Sequence, residues 1–242
     1  MAPNSRIYIT RHAQAEHNVD LDYTILDAPL TPLGKKQAAS LAPRIPDLQK
    51  KADLIVTSPL QRTLQTTLLG WGPAVKRLGI KNVVCLPAAQ ECNDFPCDTG
   101  LPREQLEQNP EFKGFDFSRL TPDWTSKTGF WAPDDRSIAN RARAVRHFLR
   151  ERPEKNIVLV GHGDIIRAVT CDANGPSTYM WKNTETQVYR FDPETVEDDE
   201  CYLALEEKIE AAGGYAPTST EMDIDGAIEP NGELDGEPHG KI

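Results

Sequence analysis

The sequence predicts an α/β fold: a three-layer α/β/α sandwich with a mostly parallel central sheet and an inserted cap. Three observations carry this. Short apolar, β-branched runs at residues 5–10, 53–57, 82–86 and 156–160 have the pattern of strands buried on both faces. Helical patterns follow most of them, as in repeated βα units. The alternation breaks once, between about residues 88 and 135, where no period is sustained and aromatic side chains collect.

In chain order, Ile7-Tyr8-Ile9-Thr10 ends at Arg11 and His12, and the loop beyond carries Gln14, Glu16, His17 and Asn18. A cation and an imidazole at the end of a buried strand are costly unless something anionic meets them. An Arg-His dipeptide alone reads first as a packing histidine beside a surface arginine. Thr31 and Pro32 then form the N-cap and first position of a helix running to about Arg44. The second strand hands over at Ser58-Pro59 to another helix, with Ser58 as the expected cap and Arg62 in the first turn. Such a junction presents free amides to anions. A bound anion and a solvated arginine explain Arg62 equally well from this stretch alone.

Beyond the third strand, Glu91 opens the irregular stretch. Its aromatics, among them Phe95, Trp124, Phe130 and Trp131, argue against disorder and for a cap over the strand ends. Ser137 is the expected cap of an amphipathic helix to about Arg150, with Arg141, Arg143, Arg146 and Arg150 on a solvated face. The fourth strand, entirely apolar and therefore central, ends in Gly161-His162-Gly163, with a helix expected from about residue 165 to 172. Residues 186–191 alternate as an edge strand, and 201–212 form a further helix or strand.

Composition sets the boundaries. The expected domain is 1–212, with the cap insertion at about 88–135, followed by an acidic tail without order, 213–242. The net charge of −10 belongs to the end of the chain: from Pro193 onward there are 15 acids and 2 bases, leaving a net of +3 on residues 1–192. No basic footprint for nucleic acid is present. No run approaches the roughly 18 apolar residues of a membrane span, and the first residues lack an apolar signal core. The expectation is a cytoplasmic protein that binds neither nucleic acid nor membrane. The five cysteines have no zinc or redox spacing and are expected to be reduced.

If the sheet is parallel, Arg11, His12, Arg62 and His162 converge on one edge with Glu91 nearby. Two arginines, two histidines and helix amides suit a tetrahedral dianion. A histidine held there can attack phosphorus, and a carboxylic acid can protonate the departing oxygen. No metal or cofactor is required for this chemistry.

The same residues resemble the histidine phosphatase superfamily, branch 1, the phosphoglycerate-mutase-like group. Its Arg-His-Gly-x-x-x-x-Asn motif is similar to Arg11, His12, Ala13 and Asn18; Leu-Thr-x-x-Gly-x-x-Gln-Ala matches Leu30, Thr31, Gly34, Gln37 and Ala38. Ser-x-x-x-Arg-x-x-x-Thr matches Ser58, Arg62 and Thr66, and Gly-His-Gly matches residues 161–163. The resemblance implies His12 as nucleophile, Arg11, Asn18, Arg62 and His162 as phosphoryl ligands, and Glu91 as proton donor; Asp94 and Glu16 are the other acids in range. It departs at Ala13, where the family has glycine, and at Gln90 to Phe95, which lacks the Asn-Glu-Arg-x-Tyr-Gly run of the cofactor-dependent mutases. The cap resembles those of fungal members, and its aromatics Phe95, Trp124, Phe130 and Trp131 are candidates for substrate contact. The implied activity is a metal-independent phosphatase acting on a small phosphorylated metabolite through a phospho-histidine. A phosphomutase and a non-catalytic phosphate-binding scaffold are the alternatives, and oligomeric state is left open.

Overall fold

A computed structural model describes residues 4–209 and 213–221. Its strands are β1 (Arg6–Arg11), β2 (Leu54–Thr57), β3 (Val84–Cys85), β4 (Asn156–Gly161), β5 (Thr186–Phe191) and β6 (Leu203–Ile209). They form one sheet in the order β3-β2-β4-β1-β5-β6. β2 pairs in parallel with β3 and β4, and β4 with β1; β5 runs antiparallel to β1 and β6. The helices are α1 (His17–Asp20), α2 (Pro32–Arg44), α3 (Pro46–Lys51), α4 (Gln61–Gly70), α5 (Gly72–Leu78), α6 (Arg103–Gln108), α7 (Asp135–Arg150) and α8 (Gly163–Val169).

Side-chain alternation along each strand splits the core between two layers. Ile7 and Ile9 of β1 pack with Val145 and Leu149 of α7 and Ile165 of α8. Tyr8 faces the other way, in the core formed by Leu41 of α2 and Leu64 of α4. The stretch 201–212, open between helix and strand, is the strand β6 as far as it is described. Its exposed Glu206, Glu207 and Lys208 put charge on the sheet edge, which discourages further pairing.

Several expectations about helix starts are corrected. Thr31 does cap α2, its Oγ1 accepting from the Gly34 N–H at 2.8 Å. Ser58 does not cap α4: that helix begins at Gln61, after Leu60. The Gln61 N–H is instead taken by Asp27 Oδ1 at 2.9 Å. Asp27 is fully buried, and burial pushes its carboxyl up to about 7. Asp134, not Ser137, caps α7, accepting from the Ser137 N–H at 3.0 Å. Arg141 and Arg146 are buried rather than solvated, because the cap and the β5–β6 connection cover that side of α7. The last helix of the parallel unit, α8, starts two residues earlier and ends three earlier than expected, at Val169.

The insertion 88–135 consists of turns and short helices, α6 among them. It has its own apolar filling, which merges with the core around α4 and α5. Trp124 is 1 % exposed, and a β-carbon on Gly100 would stand 2.1 Å from its ring. Residues 213–221, which composition assigns to a tail without order, lie against the body. Thr218 Oγ1 donates to Asp164 Oδ1 at 2.8 Å, Ser219 Oγ to Asp98 Oδ2 at 2.6 Å, and Glu221 pairs with Arg167. The rest of the expected tail, 222–242, lies outside the described residues. No helix among the described residues is long and apolar enough to cross a membrane.

Candidate active site

Strand register brings the site together. Arg11 pairs with Gly161 across β1 and β4, so the next residue of each strand, His12 and His162, leaves the sheet at the same level. Their ring centroids are 5.2 Å apart. Thr57 pairs with Val160, which sets Ser58 beside this pair; its hydroxyl lies 2.8 Å from His162 Nε2. The loop after His12 is clamped from behind. A β-carbon on Gly34 would lie 1.9 Å from the Gln14 carbonyl oxygen, so only glycine lets α2 back onto that loop.

The protonation of His12 follows from its partner. Its Nδ1 stands 2.7 Å from the Ala13 carbonyl oxygen, which can only accept. Nδ1 therefore carries the proton, and Nε2 keeps its lone pair. Ala13 N–H donates to Thr66 Oγ1 at 3.1 Å, and Asn183 Nδ2 to the His12 carbonyl at 3.1 Å. The methyl group of Ala13 is buried.

Arg62 reaches the same place from the start of α4. Its Nε donates to His162 Nδ1 at 3.1 Å, one terminal nitrogen to the Cys97 carbonyl at 2.5 Å, and the other to Asp98 Oδ1 at 3.0 Å. His162 Nδ1 is thus an acceptor, and its Nε2–H points to Ser58. Arg11 donates to the Trp181 carbonyl at 2.5 Å, while its buried Nε has no hydrogen-bond partner among the described residues. Burial, then the charges of Arg62 and Arg11, hold His12 well below the ordinary imidazole range. Burial and Arg62 do the same to His162.

The carboxyl of Glu91 sits at the start of α8. Its Oε1 accepts from the N–H groups of Cys92 and Ile165, at 3.0 and 3.1 Å. These bonds favour its charged form, yet burial, with Asp164 and Asp98 close by, pushes it up to about 7. Its backbone carbonyl is held from two sides, by Arg141 at 3.4 Å and by Lys127 Nζ at 3.3 Å. Burial lowers the Lys127 ammonium to about 8. The rival acids Glu16 and Asp94 are both exposed.

Of the expected residues, Arg11, His12, Arg62, Glu91 and His162 are buried and lie together. Asn18 stands at the edge of the group; its Oδ1 accepts from the Ala15 N–H at 3.0 Å, which fixes the turn. The cap aromatics divide. Trp124 and Trp131 fill the cap's own core, and Phe130 is exposed, edge-on to Trp131. Phe95 alone of the four joins the pocket side, through Tyr23, at 5.5 Å between ring centroids. Asp98, Asp27, His17 and Lys127 are the residues that sequence reasoning missed. Asp98 and Lys127 lie in the aperiodic insertion, where no spacing marks them. His17 had a signal, its place in the loop directly after His12.

The model of the histidine phosphatase superfamily, branch 1, matches residues 7–199. A protein of Schizosaccharomyces pombe described as a probable phosphatase is 30 % identical over 165 residues, covering 66 % of this chain and 75 % of that one. An Arabidopsis thaliana phosphoglycerate mutase-like protein is 30 % identical over 198 residues, covering 66 % of this chain and 68 % of its own. Among solved structures, a mycobacterial glucosyl-3-phosphoglycerate phosphatase complexed with VO3 superposes with a TM-score of 0.52 at 25 % identity, covering 84 % of this chain and 97 % of that one. An Entamoeba histolytica phosphoserine phosphatase mutant bound to phosphoserine shares the fold, with a TM-score of 0.51 at 21 % identity over 84 % of this chain and 96 % of that one. With the strand-end histidines, the arginines and this match, the chain belongs to the histidine phosphatase superfamily, branch 1.

Proposed function

We propose that the protein is a phosphoric monoester hydrolase that works through a phospho-histidine on His12. The observation that carries this reading is the His12 tautomer. With Nδ1–H committed to the Ala13 carbonyl, Nε2 offers its lone pair into a group of two arginines and a second histidine. In the first step Nε2 attacks phosphorus, the P–O bond to the alcohol breaks, and the leaving oxygen takes the proton of the Glu91 carboxyl. In the second, water gives a proton to the Glu91 carboxylate and attacks phosphorus. The P–N bond breaks, and inorganic phosphate leaves. Arg11, Arg62 and His162 stabilise the charge on the equatorial oxygens, with Asn18 holding the loop. Side-chain cations supply this stabilisation, so turnover is expected to survive a chelator.

The substrate is a small phosphorylated metabolite. The relative named for glucosyl-3-phosphoglycerate makes phosphate esters of small hydroxy acids and sugars the first panel to screen. The test is rapid quenching with a 32P-labelled ester. Wild type is expected to trap an acid-labile, alkali-stable phosphoprotein, and His12→Ala to trap none and to lose turnover. Label retained by the alanine variant overturns the assignment. Transfer of label to a second position of the same metabolite, without release of phosphate, would make the protein a mutase.

A further inference from the structure

His17 is buried, at 6 % exposure, and stands beside the nucleophile, with ring centroids 6.1 Å apart. Its hydrogen bonding is determined by its neighbour. Asn18 Oδ1 accepts from the Ala15 N–H at 3.0 Å, so the other end of that amide is Nδ2. Nδ2 lies 3.0 Å from His17 Nε2. An amide N–H can only donate, so Nε2 is the acceptor and the proton of this ring is on Nδ1. That Nδ1–H is buried and has no hydrogen-bond partner among the described residues.

An orphaned buried N–H costs free energy unless a ligand satisfies it. Here the same is true of Nε of Arg11, the residue before His12. Two unpartnered donors therefore lie within seven residues of chain that include His12. The surroundings exclude a positively charged ring: burial and the charges of Arg62 and Arg11 hold His17 down to about 2. It is a neutral donor, and the partner that suits it among these cations is an anion. The ring also neighbours Tyr23, at 6.3 Å between centroids, and Tyr23 neighbours Phe95 of the cap. His17 thus spans the gap between the phosphoryl ligands and the aromatic wall.

Building on the phosphatase reading, we infer that His17 is a further ligand of the substrate, its Nδ1–H donating to a phosphoryl oxygen while Asn18 holds the ring in that tautomer. The contribution of Asn18 to phosphate binding is then indirect, as a positioning residue for His17.

The probe is inorganic phosphate titrated into the full chain labelled with 15N-histidine. The Nδ1 proton of His17 is expected to move downfield on saturation, with Nε2 remaining unprotonated. In calorimetry, His17→Phe, which keeps a ring but no donor, is expected to weaken phosphate binding by about tenfold or more, as for loss of a hydrogen bond to a charged group. His17→Asn, whose amide N–H sits near the position of Nδ1, is expected to restore most of it. In turnover the phenylalanine variant is expected to raise KM more than it lowers kcat. If wild type binds phosphate and the His17 signal stays still, this inference is overturned and the phosphatase reading stands. If wild type binds no phosphate, both fall. Should His17→Phe fail to fold, the wild-type titration decides alone. Equal affinity in a folded His17→Phe, or no rescue by asparagine, also overturns it.

Discussion

The two ends of the site are built from opposite charge and opposite kinds of chain. The phosphoryl end gathers Arg11, Arg62 and three imidazoles at the tips of β1 and β4 and the start of α4. The acid end gathers Glu91, Asp98 and Asp164 from the insertion and the start of α8. At the first, burial and neighbouring cations strip protons from the imidazoles. At the second, burial and neighbouring carboxylates keep a proton on Glu91 up to about 7. The comparison shows how one site holds a neutral imidazole and a neutral carboxyl at the same pH, the forms that the proposed nucleophile and acid need. Burial, with like charges close to each group, holds each in its neutral form, although the two ends meet at the Arg62–Asp98 ion pair.

The comparison can be broken at either end. The largest effect is expected at the phosphoryl end, where His12→Ala should remove at least about 10³-fold of kcat/KM while the thermal midpoint changes little. Retained turnover of an aryl phosphate would count against His12. Next, Glu91→Gln should cost roughly 10²- to 10⁴-fold with esters of poor leaving groups, and much less with nitrophenyl phosphate. An equal loss for both leaving groups would remove Glu91 from the acid role.

The pH profile tests the link between the ends. Turnover by this route needs protonated Glu91, so it is expected to fall as pH rises through about 7. The Asp98 charge helps to raise that value, so Asp98→Asn should move the alkaline limb to lower pH. It also leaves the buried Arg62 without its ion pair, and a loss of about 10- to 100-fold in kcat/KM is expected, with stability lowered by a few kcal/mol. An unmoved limb would separate Asp98 from the acid. For the fold, Glu91 favours the proton in the native state, so its contribution to stability is full below the ordinary carboxylate range and is lost as pH climbs through about 7. His17 acts in the reverse sense: its folded value is depressed to about 2, so its contribution is present above the ordinary imidazole value and is lost as pH falls below it. The smallest effect is expected for Phe130→Ala, under about twofold on kcat/KM, because that ring is 45 % exposed and lies edge-on to Trp131 of the cap. A larger change would bring the cap surface into substrate recognition.

The phosphoryl end was legible in the sequence because parallel strands buried on both faces are apolar throughout, and a polar residue at such a strand's end stands out. His12 and His162 were visible for that reason, and Arg62 by its place after a strand. Of the acid end only Glu91 was, by its place just past the third strand. Asp98 follows no period, and nothing local reveals that it pairs with a residue 36 positions earlier. The misplaced start of α4 has a similar cause: Ser58 looks like a cap, but a carboxylate from Asp27, remote in sequence, takes the amide. Arg141 looked solvated because helix periodicity reports which face is charged, and it does not report what covers that face.

The position of β1 in the sheet has a consequence for the order in which the enzyme is made. In synthesis β1 precedes both of its sheet neighbours, β4 and β5, and neither exists until the chain has passed residues 156–161 and 186–191. Asp98 and Asp164 wait longer still, for Ser219 and Thr218. Contacts this distant close slowly, and the apolar face of β1 stays unpaired through most of synthesis. His12 is translated well before His162 and Asn183, the later residues that meet its ring and its carbonyl.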